Sequence, residues 1–351
     1  MPGKAISRDV TGHCVNVPAF AKLNLSLLVL GQRGDGFHEL RTIFQTISLA
    51  DRLRLRYTPG GPLRITLDDP LAIPDNLILK AARGLAEATN LKGTLEITLT
   101  KRIPMGGGLG GGSTDAAAVL LAVPALTGRG LTAARLHELA AGLGSDVPFF
   151  LGGGTALGLG RGEELYPIAT PSAAYVLLLT PGLHVSTPEA YRELARRPLS
   201  QLTFTELIPK LETFRACVEA VSGPRSSPDW NGFCQNDFEE AVFGRHPRLA
   251  VLRRKLEMAG ACPARMSGSG STLFGVFPTR AVLREARDGL GAVPSVVTSF
   301  VSRTRYRAAW FRALAGIVRT TQWPPQSLYA SNDSSTRRSK SLQKKSHSTS
   351  L

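Results

Sequence analysis

The feature that most constrains this chain is the run Pro104-Met105-Gly106-Gly107-Gly108-Leu109-Gly110-Gly111-Gly112-Ser113-Thr114-Asp115, followed at once by the alanine-rich stretch Ala116–Leu121. Six of its twelve residues are glycine, and a good helix former takes over directly. Glycines let successive backbone N–H groups turn inward and form a concave nest for anionic oxygens. The helix that follows adds unpaired N–H groups and the positive end of its dipole. A flexible linker would not run from a strand straight into such a helix, so the run reads as a phosphate-binding loop. Ser113 and Asp115 are placed to cap the helix, and Ser113 can also reach a phosphate-bound Mg²⁺.

The kind of phosphate loop can be narrowed. No Lys or Arg lies between Arg102 and Arg129, which excludes the Walker pattern. Gly106, Gly108 and Gly111 satisfy G-x-G-x-x-G, but Lys101–Met105 separates strand from glycines. Val123–Gly130 also lacks the downstream acid of a dinucleotide site. A second constellation, Gly144-Ser145-Asp146-Val147-Pro148-Phe149-Phe150, sets one carboxylate among small and apolar residues. Ser145 or Asp146 there is either a helix cap with Pro148 in the first turn or a general base. Lys22 shares a polar strand face with Asn24 and Ser26 in an otherwise apolar segment. It is either a snorkelling edge lysine or the cation that keeps such a carboxylate ionised. A third signal, Arg265-Met266-Ser267-Gly268-Ser269-Gly270-Ser271-Thr272, is either a simple hairpin turn or a turn that closes over a diphosphate. No G-x-S-x-G elbow supports a hydrolase nucleophile.

Around these motifs, strand-like and helix-like segments interleave without regular βαβ spacing, which predicts an α+β chain. Strands are expected at Val15–Leu30, Arg41–Ile47, Leu53–Tyr57, Leu63–Leu67 and Leu95–Thr100, with helices at Asn76–Thr89, Ser113–Leu126 and Thr132–Gly142. Gly152–Gly162 reads as a glycine-rich strand or hairpin. A second unit is expected from Tyr166, with strands at Tyr175–Thr180, Arg265–Ser267, Leu273–Phe277 and Val296–Val301. Its helices are expected at Pro188–Arg196, Asn236–Phe243, Pro247–Ala259 and Thr279–Leu290, and Gly223–Asn231 reads as a surface loop. The expected organisation is an irregular arm over 1–14, domains over 15–165 and 166–307, and a disordered Ser/Lys/Arg tail over 308–351.

Charge sharpens this. The formal net charge is +15, but the last 49 residues hold ten Lys or Arg against the single Asp333. The folded body is therefore only mildly basic. The tail can contact a polyanion loosely, yet no aromatic residue interleaves its basic run after Tyr329, so base stacking and specific nucleic-acid binding are unsupported. No stretch approaches a membrane helix, and no secretory leader is evident at the start. Four dispersed cysteines without a C-x-x-C pair point to neither zinc nor a disulfide framework, and a reducing cytoplasm fits best.

Taken together and in order, the Pro18–Leu25 strand with its Pro-x-x-Ala-Lys-Leu-Asn, the run Gly31–Leu40, the loop Pro104–Ala117, Gly144–Phe149 and the turn Arg265–Phe274 resemble the GHMP kinase superfamily over about Val15–Arg305. Within it, Gly31-Gln32-Arg33-Gly34-Asp35-Gly36-Phe37-His38-Glu39-Leu40 resembles the branch acting on 4-diphosphocytidyl-2-C-methyl-D-erythritol. The resemblance implies an N-terminal domain like the second domain of ribosomal protein S5, an α/β-plait-like C-terminal domain and an active site in the cleft between them. It implies ATP as co-substrate, Mg²⁺, and transfer of the γ-phosphate to the 2-hydroxyl of that alcohol. By the same resemblance Asp146 takes the hydroxyl proton and Lys22 orients it. Pro104, Met105, Gly106, Gly107, Gly108, Leu109, Gly110, Gly111, Gly112, Ser113 and Thr114 wrap the ATP phosphates. Phe37 and Tyr191 sandwich the cytosine, His38 meets its polar edge, and Asn24, Thr187 and Ser269 lie near the diphosphate or sugar-like end. The aromatic at 37 lacks a hydroxyl, and Ser269 stands where threonine is also common. Two rival readings are a kinase of another alcohol, and a non-catalytic nucleotide- or polyanion-binding protein that works through its tail. Removing the chain after Arg307 is expected to spare an enzyme and to abolish the latter.

Overall fold

A computed structural model describes residues 13–171, 175–194, 203–223, 230, 232–319 and 322–328. Residues 1–12 of the arm expected over 1–14, residues 195–196 of the helix expected at Pro188–Arg196, most of the loop at Gly223–Asn231 and the basic run beyond 328 lie outside the described residues; His13 and Cys14, expected in the arm, instead pair with Tyr57 and Arg56 in a strand.

The first domain is built on two unusually long strands. β1 (His13–Gln32) lies antiparallel along one edge of β2 (His38–Thr58). The two strands expected within 41–57 are thus one, because Ser48–Arg52 continues the ladder rather than turning. β3 (Arg64–Asp68), α1 (Leu77–Thr89) and β4 (Thr94–Thr100) follow. α1 starts where the Asn76 side chain accepts the Ile78 N–H and stops at Asn90, whose left-handed backbone (φ 47°) ends the helix. α2 (Gly111–Thr127) is apolar on every side from Ala116 to Val123 and is accordingly buried throughout. α3 (Ala133–Leu143), α4 (Val147–Gly152) and the hairpin β5 (Thr155–Leu159)–β6 (Glu164–Ile168) complete the unit. β4 and β5 share the second edge of β2, giving a sheet in the order β3-β4-β2-β5-β6 with β1 beside β2.

The second domain pairs β7 (Tyr175–Leu179) with later strands. α5 (Thr187–Leu194), α6 (Phe204–Ser222), α7 (Phe238–Arg245), α8 (Pro247–Met258), β8 (Ala264–Met266), β9 (Leu273–Phe277), α9 (Arg280–Gly289) and β10 (Ser295–Ser299) make a sheet in the order β10-β7-β9-β8 packed with helices. Periodicity does not announce α6. Pro209 lies inside it and Phe204 and Ile208 are exposed, although a Thr203–Glu206 capping box marks its start.

Two expected boundaries move. The division at 165/166 falls inside β6, which extends the first sheet, so the chain changes domains after Ile168. The expected start of the tail at 308 falls inside α10 (Arg303–Ala313), which crosses back to the first domain and is followed by β11 (Val318–Arg319) and β12 (Gln326–Ser327). Tyr306, Trp310, Leu314 and Val318 are buried in that domain's core, so the segment to Leu328 has enough apolar area to order itself.

The inner halves of β1 and β2 are covered on both faces. Leu23, Leu25, Leu28 and Ile43 pack with Val176, Leu178, Phe214 and Phe274, while Leu27, Val29 and Leu40 pack with Leu177 and Phe238. This buries the polar strand face as well: Lys22, Asn24 and Ser26 are nearly inaccessible. Register shifts at Phe20/Lys22 and Asn24/Ser26 re-aim these side chains, as bulges do beside many sites.

Candidate active site

Four sequence segments far apart in the chain meet in one cavity of about 330 Å³. Lys22, Asn24, Gly108, Gly110, Ser113, Asp146, Thr187, Tyr191 and Ser269 all line it, with Ser145 and Arg161. Burying Lys22 demands a partner. Its ammonium lies 3.2 Å from Asp146 Oδ2, donates to Asn24 Oδ1 at 2.5 Å and sits 5.4 Å from the centre of the Phe44 ring. Asn24 in turn donates to Thr42 Oγ1 at 2.8 Å. Asp146 occupies the N-cap position of α4 but makes no side-chain capping bond. Its carboxylate turns instead to Lys22 and stays about one-third open to the cavity.

The glycine loop is fixed by backbone pairing. The Lys22 N–H donates to Leu109 O at 3.0 Å, tying the loop to β1. The Ser267 hydroxyl accepts the Asn24 N–H at 3.3 Å and donates to Gly108 O at 3.0 Å, so one side chain ties its turn to both β1 and the glycine loop. Gly108 explains why glycine is required: its φ is +74°, and a Cβ there would lie 2.0 Å from Ser267 O. α2 begins at Gly111 with Gly110 as N-cap and no capping side chain. The expectation that Ser113 or Asp115 caps it therefore fails. Ser113 lines the cavity from the first turn, whereas the Asp115 carboxylate points away to Lys101.

Asp115 belongs to a buried cluster that sequence reading misses. Lys101 Nζ lies 2.5 Å from Asp51 Oδ2 and 2.8 Å from Asp115 Oδ2. Asp51 Oδ1 accepts the N–H groups of Arg102 and Ile103. The cluster thus clamps the residues entering the glycine loop to those leaving it. Burial, with the nearby Asp51 charge adding to it and Lys101 opposing, pushes the Asp115 carboxyl up to about 7, and its Oδ1 has no hydrogen-bond partner. Burial works against the Lys101 charge, yet Asp115 and Asp51 outweigh it and raise its pKa. Lys101 carries a weak local signal, three residues ahead of Pro104; Asp51 carries none.

The opposite end of the cavity is looser. Tyr191 stacks on His38, ring centres 4.7 Å apart. Burial, with the Asp146 charge adding to it, raises the Tyr191 phenol, which stays protonated. Burial also lowers the His38 imidazole, and its Nε2 is buried without a partner. Neither Phe37 nor His38 lines the cavity, so Tyr191 is the one predicted cytosine-pocket residue that does. Phe37 is half exposed, with the Arg161 guanidinium 4.5 Å from its ring centre, so it and Tyr191 do not form one open slot here. Arg161, also paired with Glu163, escapes sequence reading because a lone arginine in a glycine-rich hairpin carries no signal of its own. The Thr187 and Ser269 hydroxyls are 2.7 Å apart.

A glycine loop at a helix start, beside a Lys–carboxylate pair in a cleft between two α+β domains, matches the small-molecule kinases of the GHMP class. Residues 76–154 match the GHMP kinases N terminal domain and residues 229–295 the GHMP kinases C terminal domain. The chain is 49% identical over 321 residues to the 4-diphosphocytidyl-2-C-methyl-D-erythritol kinase of Solibacter usitatus, covering 92% of this chain and 99% of that one. The enzyme of the same name from Acaryochloris marina is 40% identical over 76% of this chain and 88% of its own. A crystal structure of 4-(cytidine 5'-diphospho)-2C-methyl-D-erythritol kinase superposes with a TM-score of 0.66 at 36% identity, covering 81% of this chain and 98% of that one. The chain belongs to the 4-diphosphocytidyl-2-C-methyl-D-erythritol kinase family. Among the described residues no helix is long and apolar enough to cross a membrane.

Proposed function

We propose that this chain transfers the γ-phosphate of ATP to the 2-hydroxyl of 4-diphosphocytidyl-2-C-methyl-D-erythritol, giving the 2-phosphate and ADP, a step of non-mevalonate isoprenoid synthesis in the cytoplasm. The observation that carries it is the Lys22–Asp146 contact at 3.2 Å, open to the cavity that the glycine loop borders, in a chain so similar to kinases of that name.

Phosphoryl transfer needs positioning and charge neutralisation more than covalent help from the protein. The alcohol proton passes to Asp146 as the oxygen attacks the γ-phosphorus and ADP leaves. Lys22 holds Asp146 in place and favours the developing alkoxide. The free N–H groups of the loop up to Ser113 cradle the phosphates, while the Thr114 N–H is already held by Gly110 O at 2.9 Å as the first bond of α2. A phosphate-bound Mg²⁺ would need few oxygens from the protein, because such ions keep phosphate and water ligands. Among the described residues no carboxylate-rich cluster could hold it alone, and the Ser113 hydroxyl, lining the cavity, suits that smaller role. When bound, the ion neutralises charge on the β- and γ-phosphates.

Tyr191 supplies a flat apolar face for the cytosine, and neutral His38 with its unpartnered Nε2 can read the base's polar edge. Phe37 reaches the ring from the mouth, while Asn24, Thr187 and Ser269 serve the diphosphate and sugar-like end. Phosphate transfer to the cytidyl alcohol, measured beside mevalonate and homoserine, tests the reading: turnover of the first alone is expected, and its absence overturns the assignment.

A further inference from the structure

The segment Arg303–Leu328 lies beyond the matched C-terminal family model, which ends at residue 295. Its contacts concentrate on one target. α4, like any helix, leaves its last carbonyls without intrahelical partners, and the Gly153 N–H caps only Phe149 O. Tyr306 donates its hydroxyl to Phe150 O, and Trp323 Nε1 donates to Leu151 O at 2.8 Å. Arg303 donates to Gly153 O at 3.2 Å and to Thr155 O at 2.8 Å. Three side chains from one segment therefore complete the C-terminal end of the helix whose N-cap is Asp146.

Tyr306 also reaches the other half of the Lys22–Asp146 pair. Its fully buried ring packs 5.5 Å from Phe20, two residues before Lys22 and across the bulge that aims that lysine. The same ring lies so close to Gly153 that any Cβ there would sit 2.4 Å from it. The ring is thus wedged between the strand bearing Lys22 and the helix bearing Asp146. Trp323 backs the wedge, edge-on at 6.0 Å, and Phe311 and Arg307 pack on the indole in turn.

We propose that Arg303, Tyr306 and Trp323 are positioning residues: the C-terminal segment to Leu328 sets the separation of Lys22 and Asp146 by clamping α4 against β1. Its kinetic arm rests on the kinase reading above. Because well-aligned reacting groups lose roughly 100-fold in rate per ångström of misplacement, modest loosening is visible in kcat.

The test compares the full chain with Trp323→Phe, which keeps a ring but strands Leu151 O, with Tyr306→Phe, and with chains ending after Leu328 and after Arg319. Leu249→Ala, in the other domain's core, serves as a control matched for loss of thermal stability. The chain ending at Leu328 should match the full chain. Trp323→Phe and Tyr306→Phe should lose roughly ten-fold in kcat with KM for ATP nearly unchanged, and the chain ending at Arg319 should lose more. Amide hydrogen exchange over residues 147–153 should quicken in both point variants while that of α1 does not. A kcat loss no larger than in Leu249→Ala, or unaltered exchange over 147–153, overturns the proposal. The exchange arm decides it even if the full chain fails to turn over the cytidyl alcohol, a result that would instead overturn the substrate assignment.

Discussion

The two ends of the cavity are built on different principles. At the end proposed to hold the phosphates, the glycine loop is held by hydrogen bonds to β1 and to the Ser267 turn, and is clamped from behind by Asp51, Lys101 and Asp115, all almost fully buried. At the end proposed to take the base, Phe37 is half exposed, and Arg33, Arg41, Arg161, Glu39 and Glu163 form partly exposed ion pairs. The difference fits the two tasks. Transferring a phosphoryl group requires fixed dipoles and charges, which a loop held in place from several sides provides. Admitting a flat base requires a face and an edge, and the mouth of the cleft can supply these with little burial.

The largest expected effect breaks the fixed end directly. Asp146→Asn should lower kcat by about 100- to 10,000-fold with little change in KM for ATP, read by steady-state kinetics. A near-normal rate would remove Asp146 from the proton-accepting role. Next comes the clamp. Lys101→Met leaves two buried carboxylates without their cation and should cost about 3–5 kcal/mol in denaturant unfolding. KM for ATP should rise in any folded remainder while KM for the alcohol holds. If stability and nucleotide affinity both survive, the loop is not held from behind.

At the base end, Tyr191→Ala should raise KM for the cytidyl alcohol by about 10-fold, on the scale of one lost base-stacking contact. Phe37→Ala should change it several-fold less, because its ring lies outside the cavity. Equal effects would mean that the two aromatics close on the base together, erasing the contrast between the two ends. The smallest signal is a pH slope. The folded Asp115 carboxyl, raised to about 7 by burial, holds a proton that the unfolded chain, ordinary for an aspartate, releases near pH 4. Stability should therefore fall as pH rises from about 4 to about 7, and Asp115→Asn should flatten that slope in thermal melts at several pH values. An identical slope in the variant would assign it to other groups.

Much of the candidate site is legible in the amino-acid order alone, because glycine, proline and isolated polar residues leave local marks. The loop Pro104–Thr114 declares itself through residues that only a tight backbone tolerates, and Lys22 through a charge in an apolar strand. Residues whose role is set by distant partners leave no such mark. Asp51 looks like any strand-end aspartate until Lys101 is seen above it, and Arg161 looks like a solvated turn residue until its guanidinium covers Phe37. The reach of the folded chain is hidden for the same reason. The Ser/Lys/Arg composition beyond residue 330 colours the reading of 308–328, where Trp310, Leu314, Val318 and Trp323 find burial only against elements far earlier in the chain. Cutting the chain after Arg307 would sever α10, so a fair test of the tail must cut after Leu328.

The sequence alone determined most secondary elements, the α+β class, the glycine loop and the candidacy of one acid and one lysine, since each depends on neighbours within one turn or one strand. Only the tertiary structure decided that those two groups touch, that a buried carboxylate pair clamps the loop, and that the segment from Arg303 returns to pack on α4. Such facts depend on which surfaces meet when apolar faces leave water, and no local pattern encodes that distance.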